Sequence, residues 1–207
     1  MRALRSGRTA ALLAAVLVLA GCASGADGSA DTETGAGTYR APDKLCRGMD
    51  LGAFKDAFGT PEKPGEEHVG EGTDPRIMIC SISLPGTDPL VDLDVFASFR
   101  TSVEATRTAF QDERAKLSAS PLPSWQDPVS EIRPVQRVGS TAYRYLETPN
   151  DHVLRTVLET RRSNLNLTVR IQETGYSMPP DRSGSHRAAV DKAMAAFAVA
   201  ELAALAK

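Results

Sequence analysis

Asp92 and Asp94 stand two residues apart in LVDLDVFASF, residues 90–99, where apolar and polar side chains alternate. Alternate positions of a strand share a face and lie about 6.6–7 Å apart, so both carboxylates can reach one cleft. Asp88 precedes them and Glu104 follows. Oxygens grouped in this way could hold calcium, or divide the work of an acid and a base. The plainer and favoured reading is a solvated strand face.

Other chemistry-bearing residues are scattered. His68, His152 and His186 show neither HExxH nor HxH spacing, and none neighbours a cysteine, so surface or loop positions are expected and no metal. The chain has no Gly-x-Ser-x-Gly elbow, no Ser-x-x-Lys and no Gly-rich phosphate loop, which disfavours the common hydrolase and nucleotide-binding chemistries. No catalytic residue and no cofactor can be named. Arg161 and Arg162, with Arg155 and Arg170 on neighbouring strands, could make an anion patch. In a hairpin such arginines more often pair with carboxylates, here Glu147, Glu159 and Glu173. Trp125 is the only tryptophan and lies in residues 118–134, with Pro121, Pro123, Pro128 and Pro134. An aromatic on a long loop could close a ligand cleft or anchor a partner; packed inward, it would staple the loop to the core. Trp125, Asp92 and Asp94 are the candidate contacts to a ligand or partner.

The elements that must position these residues follow from periodicity. Residues 42–59 read as a short helix with Asp50 as N-cap, ended by Gly59 and Pro61. Residues 60–74 read as a loop with a short edge strand near His68 and Val69. Residues 76–84, RIMICSISL, and residues 90–99 both alternate across a Pro-Gly-Thr-Asp-Pro turn, which predicts an antiparallel hairpin. Thr101-Ser102-Val103-Glu104 fits a capping box, opening a helix to Leu117 that carries Val103, Phe110 and Leu117 on one face. After the proline-rich loop come strands over 141–147, 152–161 and 164–173, the last two in a tight hairpin at Arg162-Ser163-Asn164. Ser185 caps a final helix, with Val190, Met194, Phe197 or Ala198, Leu202 and Leu205 at helical spacing. The fold class expected is α+β: a single domain with an antiparallel sheet of about five to six strands layered with helices.

The amino terminus has a different purpose. Arg2, Arg5 and Arg8 precede eleven apolar residues, 10–20, too few to span a bilayer as a helix. A basic n-region, an apolar h-region and small residues at the cleavage site make a secretory signal. Leu19-Ala20-Gly21-Cys22 matches the lipobox of bacterial lipoproteins, a resemblance that implies diacylation of Cys22 after cleavage. Two acyl chains anchor stably where one does not. The organisation expected is a signal peptide over 1–21, a flexible Gly/Ala/Ser/Asp/Thr tether over 22–40 and a globular domain over 41–207. Removing the three arginines leaves 21 basic against 26 acidic residues, so the formal charge moves from −2 to −5. A mildly acidic domain is poorly suited to nucleic acid.

Cys46 and Cys80 remain. An extracytoplasmic domain permits a disulfide between them; two buried thiols or a metal pair are the alternatives. The lipobox, the tether, Cys46 before a short helix ending in Phe58-Gly59, Cys80 in the next strand and the Arg137–Tyr143 segment RVGSTAY entering a strand together resemble actinobacterial lipoproteins grouped as a domain of unknown function with paired cysteines. Many of those carry an aromatic soon after the second cysteine; here Ser81 and Ile82 follow Cys80. More distantly, the element order is similar to Mog1/PsbP-like extracytoplasmic lipoproteins. The resemblance implies a non-enzymatic envelope lipoprotein, lipid-anchored at the extracytoplasmic face of the cell membrane. Its domain would bind or sense a small envelope molecule or a membrane-protein partner. An unrecognised extracytoplasmic hydrolase and a purely structural envelope protein are the alternatives.

Overall fold

A computed structural model of the chain describes residues 37–60, 65–85, 89–119, 127–177, 180 and 183–206. Cys22, the signal and most of the tether lie outside these residues, as does Trp125. Asp31–Lys207 is one compact unit, and no helix among the described residues is long and apolar enough to cross a membrane.

Among the described residues, seven antiparallel strands form one sheet: β1 (Glu66–Val69), β2 (Arg76–Leu84), β3 (Leu90–Phe99), β4 (Val129–Pro134), β5 (Thr141–Asn150), β6 (Val153–Arg162) and β7 (Leu165–Thr174). Their order is β1-β2-β3-β7-β6-β5-β4. Two meanders therefore meet at the β3–β7 pair. Helix α2 (Val103–Leu117) carries the chain from the middle of the sheet to its far edge, across one face. The opposite face is covered by α3 (Gly184–Leu205) and by a short helical run, 3-10 turns Cys46–Gly48 and Leu51–Phe54 followed by α1 (Lys55–Phe58).

The expected count of five to six strands is corrected to seven. The added strand is β4, inside the stretch read as a proline-rich loop. Pro134 sits where a sheet edge tolerates it: it ends the strand, and β4 pairs with β5 alone. The ladder shifts register between Ser130 and Arg133, and Glu131 there has φ 55°. Such a bulge breaks the alternation that would have revealed a strand. Two caps also move. Ser102, not Thr101, accepts from the Ala105 amide at 3.1 Å, and the Thr101 hydroxyl donates to Asp74 instead. Ser183, two residues before Ser185, accepts from the His186 amide.

Alternation in β2 and β3 sorts the faces. Met78, Cys80, Ile82, Leu84, Val91, Leu93 and Val95 bury toward α3, with Leu167, Val169 and Ile171 from β7. A second, smaller cluster of Phe110, Leu117, Tyr143, Tyr145 and Val157 lies under α2. Phe54 closes the main core against Phe197 of α3, ring centroids 5.2 Å apart.

The amino-terminal arm joins this core earlier than the 22–40 tether boundary implies. Tyr39 is buried, its hydroxyl donating to the Leu202 carbonyl. Asn164, in the β6–β7 turn, clasps the Tyr39 backbone at both ends: it accepts from the amide at 2.8 Å and donates to the carbonyl at 3.0 Å. Gly37 passes so close that a Cβ there would lie 1.8 Å from Asn164 Cγ. The RVGSTAY segment has a comparable reason. Gly139 has φ 60°, and a Cβ would meet Thr160 Oγ1 at 2.3 Å, so the turn into β5 admits only glycine without rearrangement.

One buried carboxyl gives the fold a pH dependence. Burial alone raises Glu201 of α3 to about 7. The native state then holds a proton that the unfolded chain releases above about 4.5, so stability falls as pH rises from about 4.5 to about 7 and is flat beyond. Glu201→Gln is expected to make that slope shallower by Glu201's share, leaving the part due to the other carboxyls that burial raises, Glu159 and Asp191, and melting temperatures taken at pH 4.5, 6 and 8 check it. A wild-type profile parallel to the variant's would refute the assignment.

Candidate functional site

Three places gather polar chemistry: the sheet face beside α2, a groove at the β1 edge and a cavity at the β4 edge.

The first holds Asp92 and Asp94. Asp94 accepts from Ser81 Oγ at 2.6 Å and from Arg170 at 2.7 and 3.1 Å. Asp92 accepts from Ser83 Oγ at 3.0 Å. Arg170 also lies over the Phe96 ring, 5.0 Å from its centroid. Both carboxylates do share a face, but among the described residues their hydrogen-bond partners are hydroxyls and a guanidinium; Asp88 lies outside those residues. No group of three potential ligands gathers anywhere among the described residues. Of the four arginines of the expected patch, Arg155, Arg161 and Arg170 share one face of the sheet and Arg162 lies on the other. Arg155 pairs with Asp127 at 2.5 Å and Gln172 at 2.7 Å, and Arg170 is taken by Asp94. Arg161 is buried, and Arg162 is exposed on the opposite face. Glu159 accepts from the hydroxyls of Tyr143 at 2.5 Å and Tyr145 at 2.9 Å. Burial pushes the Glu159 carboxyl up, opposed by those two bonds. His68 and His152 are exposed, while His186 meets Glu173 at 2.9 Å.

The groove forms where residues 42–51 lie alongside β1. Cys46 and Cys80 form a disulfide with Cα atoms 5.3 Å apart, fastening this segment to the buried face of β2. The Cys46 amide donates to Glu67 of β1 at 3.3 Å. Gly65 seats directly on the bridge: a Cβ there would lie 2.8 Å from the Cys80 sulfur and 3.0 Å from that of Cys46. The resulting space is about 700 Å3, lined by Leu51, Val69 and Ile82 with Asp43, Lys44, Arg47 and Glu67. Apolar walls and two charges of each sign suit a ligand with an apolar body and polar ends.

The cavity at the other edge is smaller, about 270 Å3, lined by Pro134, Val135, Gln136, Leu158, Met194, Arg144 and Asp191. It exists because Arg144 occupies an inward position of β5, in register with Leu158 of β6. Asp191 of α3 accepts from Arg144 Nε at 2.9 Å. Glu131 on the bulge is held by Arg187, by Arg133 at 3.3 Å and by Arg144 at 3.6 Å. The Arg187 hydrogen bond, with the charges of the other two arginines, keeps the Glu131 carboxyl below the usual range. Burial pushes Asp191 up, against the pull of Arg144 and Arg187.

Both edge sites lie on one row of the sheet. Glu67, Cys80, Val95, Val169, Leu158 and Arg144 are successive cross-strand partners. The row is apolar at its centre and charged at each end. Sequence reasoning missed this arrangement. The groove brings together segments of different periodicity, and Glu131 was hidden in a presumed loop. Arg144 at the centre of a strand flanked by Ala142 and Leu146 on its own face was the available signal.

Comparison with protein-family models, with curated proteins and with solved structures finds no match for this chain.

Proposed function

We propose that the chain is a cell-envelope lipoprotein, anchored through acylated Cys22 at the outer face of the membrane, whose domain binds or senses a small envelope molecule rather than turning one over. The observation that carries this reading is the groove between residues 42–51 and β1. Its volume of about 700 Å3 falls inside the range of small-molecule sites, roughly 300–1,000 Å3. A few charged groups around an apolar wall are the composition such sites use for orientation and grip. The disulfide holds one wall in place, so less ordering is needed when a ligand arrives. The lipobox and the two cysteines also support membership among the actinobacterial lipoproteins of unknown function. A tether over 22–40 would let the domain search close to its anchor, raising its effective concentration toward membrane-bound targets.

Native mass spectrometry of the full chain, extracted gently from its own envelope, tests both halves. The expected spectrum shows a polypeptide beginning at Cys22 with a diacyl modification and an adduct of a few hundred daltons. Leu51→Trp, which fills the groove, is expected to lose the adduct while remaining folded. A bound polypeptide in place of the adduct would make the domain an interaction module. A bare chain would overturn the ligand reading, and an unmodified amino terminus would overturn the anchor.

A further inference from the structure

Among the described residues, Arg144 combines a buried, unpartnered guanidinium nitrogen with a place in a cavity wall. It is about nine-tenths buried. Its Nε is satisfied by Asp191 and its Nη2 lies near Glu131, yet its Nη1 is fully buried with no hydrogen-bond partner among the described residues. A buried guanidinium N–H left unmade is costly, and native structures rarely keep one without a use. Here the same side chain lines a cavity of about 270 Å3 whose other walls include Pro134, Val135, Leu158 and Met194.

We infer that this cavity is a binding site for a small carboxylate with an apolar tail, its carboxylate gripped by Arg144. Three observations converge. The charge count is uneven: Arg133, Arg144 and Arg187 face two carboxylates, Glu131 and Asp191, and a monoanion would balance the set. The planar guanidinium matches a carboxylate in geometry, where an ammonium would not. Glu131 holds a left-handed backbone, φ 55°, on a bulge of an edge strand. A non-glycine residue kept there is characteristic of sites whose surroundings enforce it. The bulge aims Glu131 at the three arginines and so occupies part of their donor capacity; the Arg144 side chain lines the cavity, and a guest's carboxylate would draw its unpartnered Nη1, closed to water in this structure, round toward that space. The apolar walls then select a short hydrocarbon or aromatic tail. This site lies at the opposite edge of the sheet from the groove and does not depend on it.

Titrating the full chain with sodium butyrate and sodium benzoate, followed by calorimetry and by the methyl resonance of Met194, tests the inference. Saturable one-to-one binding is expected, with neutral butyramide at least tenfold weaker. Arg144→Met is expected to weaken butyrate at least tenfold. Because that variant also strips Asp191 of its partner and could unfold, Val135→Phe serves as a second. It fills the cavity from a half-buried wall, leaves all five charged residues in place and is expected to abolish binding with the melting temperature near that of wild type. A folded wild-type chain that takes up neither acid would mean that Nη1 stays closed to the cavity, and the inference would fail. It would fail equally if butyramide bound as tightly as butyrate, or if Val135→Phe bound like wild type.

Discussion

Removing the Cys46–Cys80 bridge, as the Cys46→Ala/Cys80→Ala pair, is expected to cost about 3–4 kcal/mol of unfolding free energy. The two residues are 34 apart in sequence, and the chain-entropy model gives about that figure for closing a loop of this length in the unfolded state. Alanine is the right replacement, because a serine at fully buried position 80 would add the separate cost of an unpaired hydroxyl. Urea unfolding checks it: the midpoint should fall, and the m-value should rise as the uncrosslinked unfolded chain exposes more surface. A loss under about 1 kcal/mol would show that the fold holds residues 42–51 by packing alone. The local effect should exceed the global one. Cys46 and Gly65 form the wall nearest the bridge, so the groove should loosen even in variants that remain folded at low temperature.

Phe197→Ala is expected to destabilise by about 3–5 kcal/mol, the usual cost of removing a fully buried ring. Phe197 is 1% exposed and meets Phe54 across the layer between α3 and the short helical run. For a domain of this size each kcal/mol moves the melting temperature by roughly 2–4 °C, so a drop on the order of 10 °C is expected. Val199, two residues away but 47% exposed, is the matched control; Val199→Ala should change the melting temperature by no more than about 2 °C. If both variants melted alike, α3 would not be the lid of the main core.

The core side of the fold was legible in the sequence because its periodicities are undisturbed. Residues 76–84 and 90–99 alternate cleanly and became β2 and β3 with the expected faces. Val103, Phe110 and Leu117 are all buried on α2, as are Val190, Met194, Phe197, Ala198 and Leu202 on α3. What escaped reading is where local pattern and tertiary demand part. A bulge at Glu131 removed the alternation of β4, and the four prolines nearby signalled a loop. Ser102 and Thr101 are equally good caps by type, and only the contact of Thr101 with Asp74 decides between them. The candidate sites were the least legible part. Asp92 and Asp94 share a face as expected, but a serine hydroxyl and Arg170 answer Asp94 from neighbouring strands. The pairing of Arg144 with Asp191, 47 residues on, has no local signature at all.

The clasp between Asn164 and Tyr39 also sets how the domain would bear a load. On the proposed lipoprotein reading, any drag on the domain is felt as tension along the arm that precedes Gly37. That tension does not enter at a sheet edge, where strands could be peeled one hydrogen bond at a time. It arrives at the β6–β7 turn, through two opposed hydrogen bonds to a single side chain that also donates to the Arg100 carbonyl at 2.7 Å. β7 lies at the middle of the seven-stranded order, paired on both sides. Force delivered there is shared by both meanders, and the groove and the cavity at the two outer edges stay clear of the pulling line.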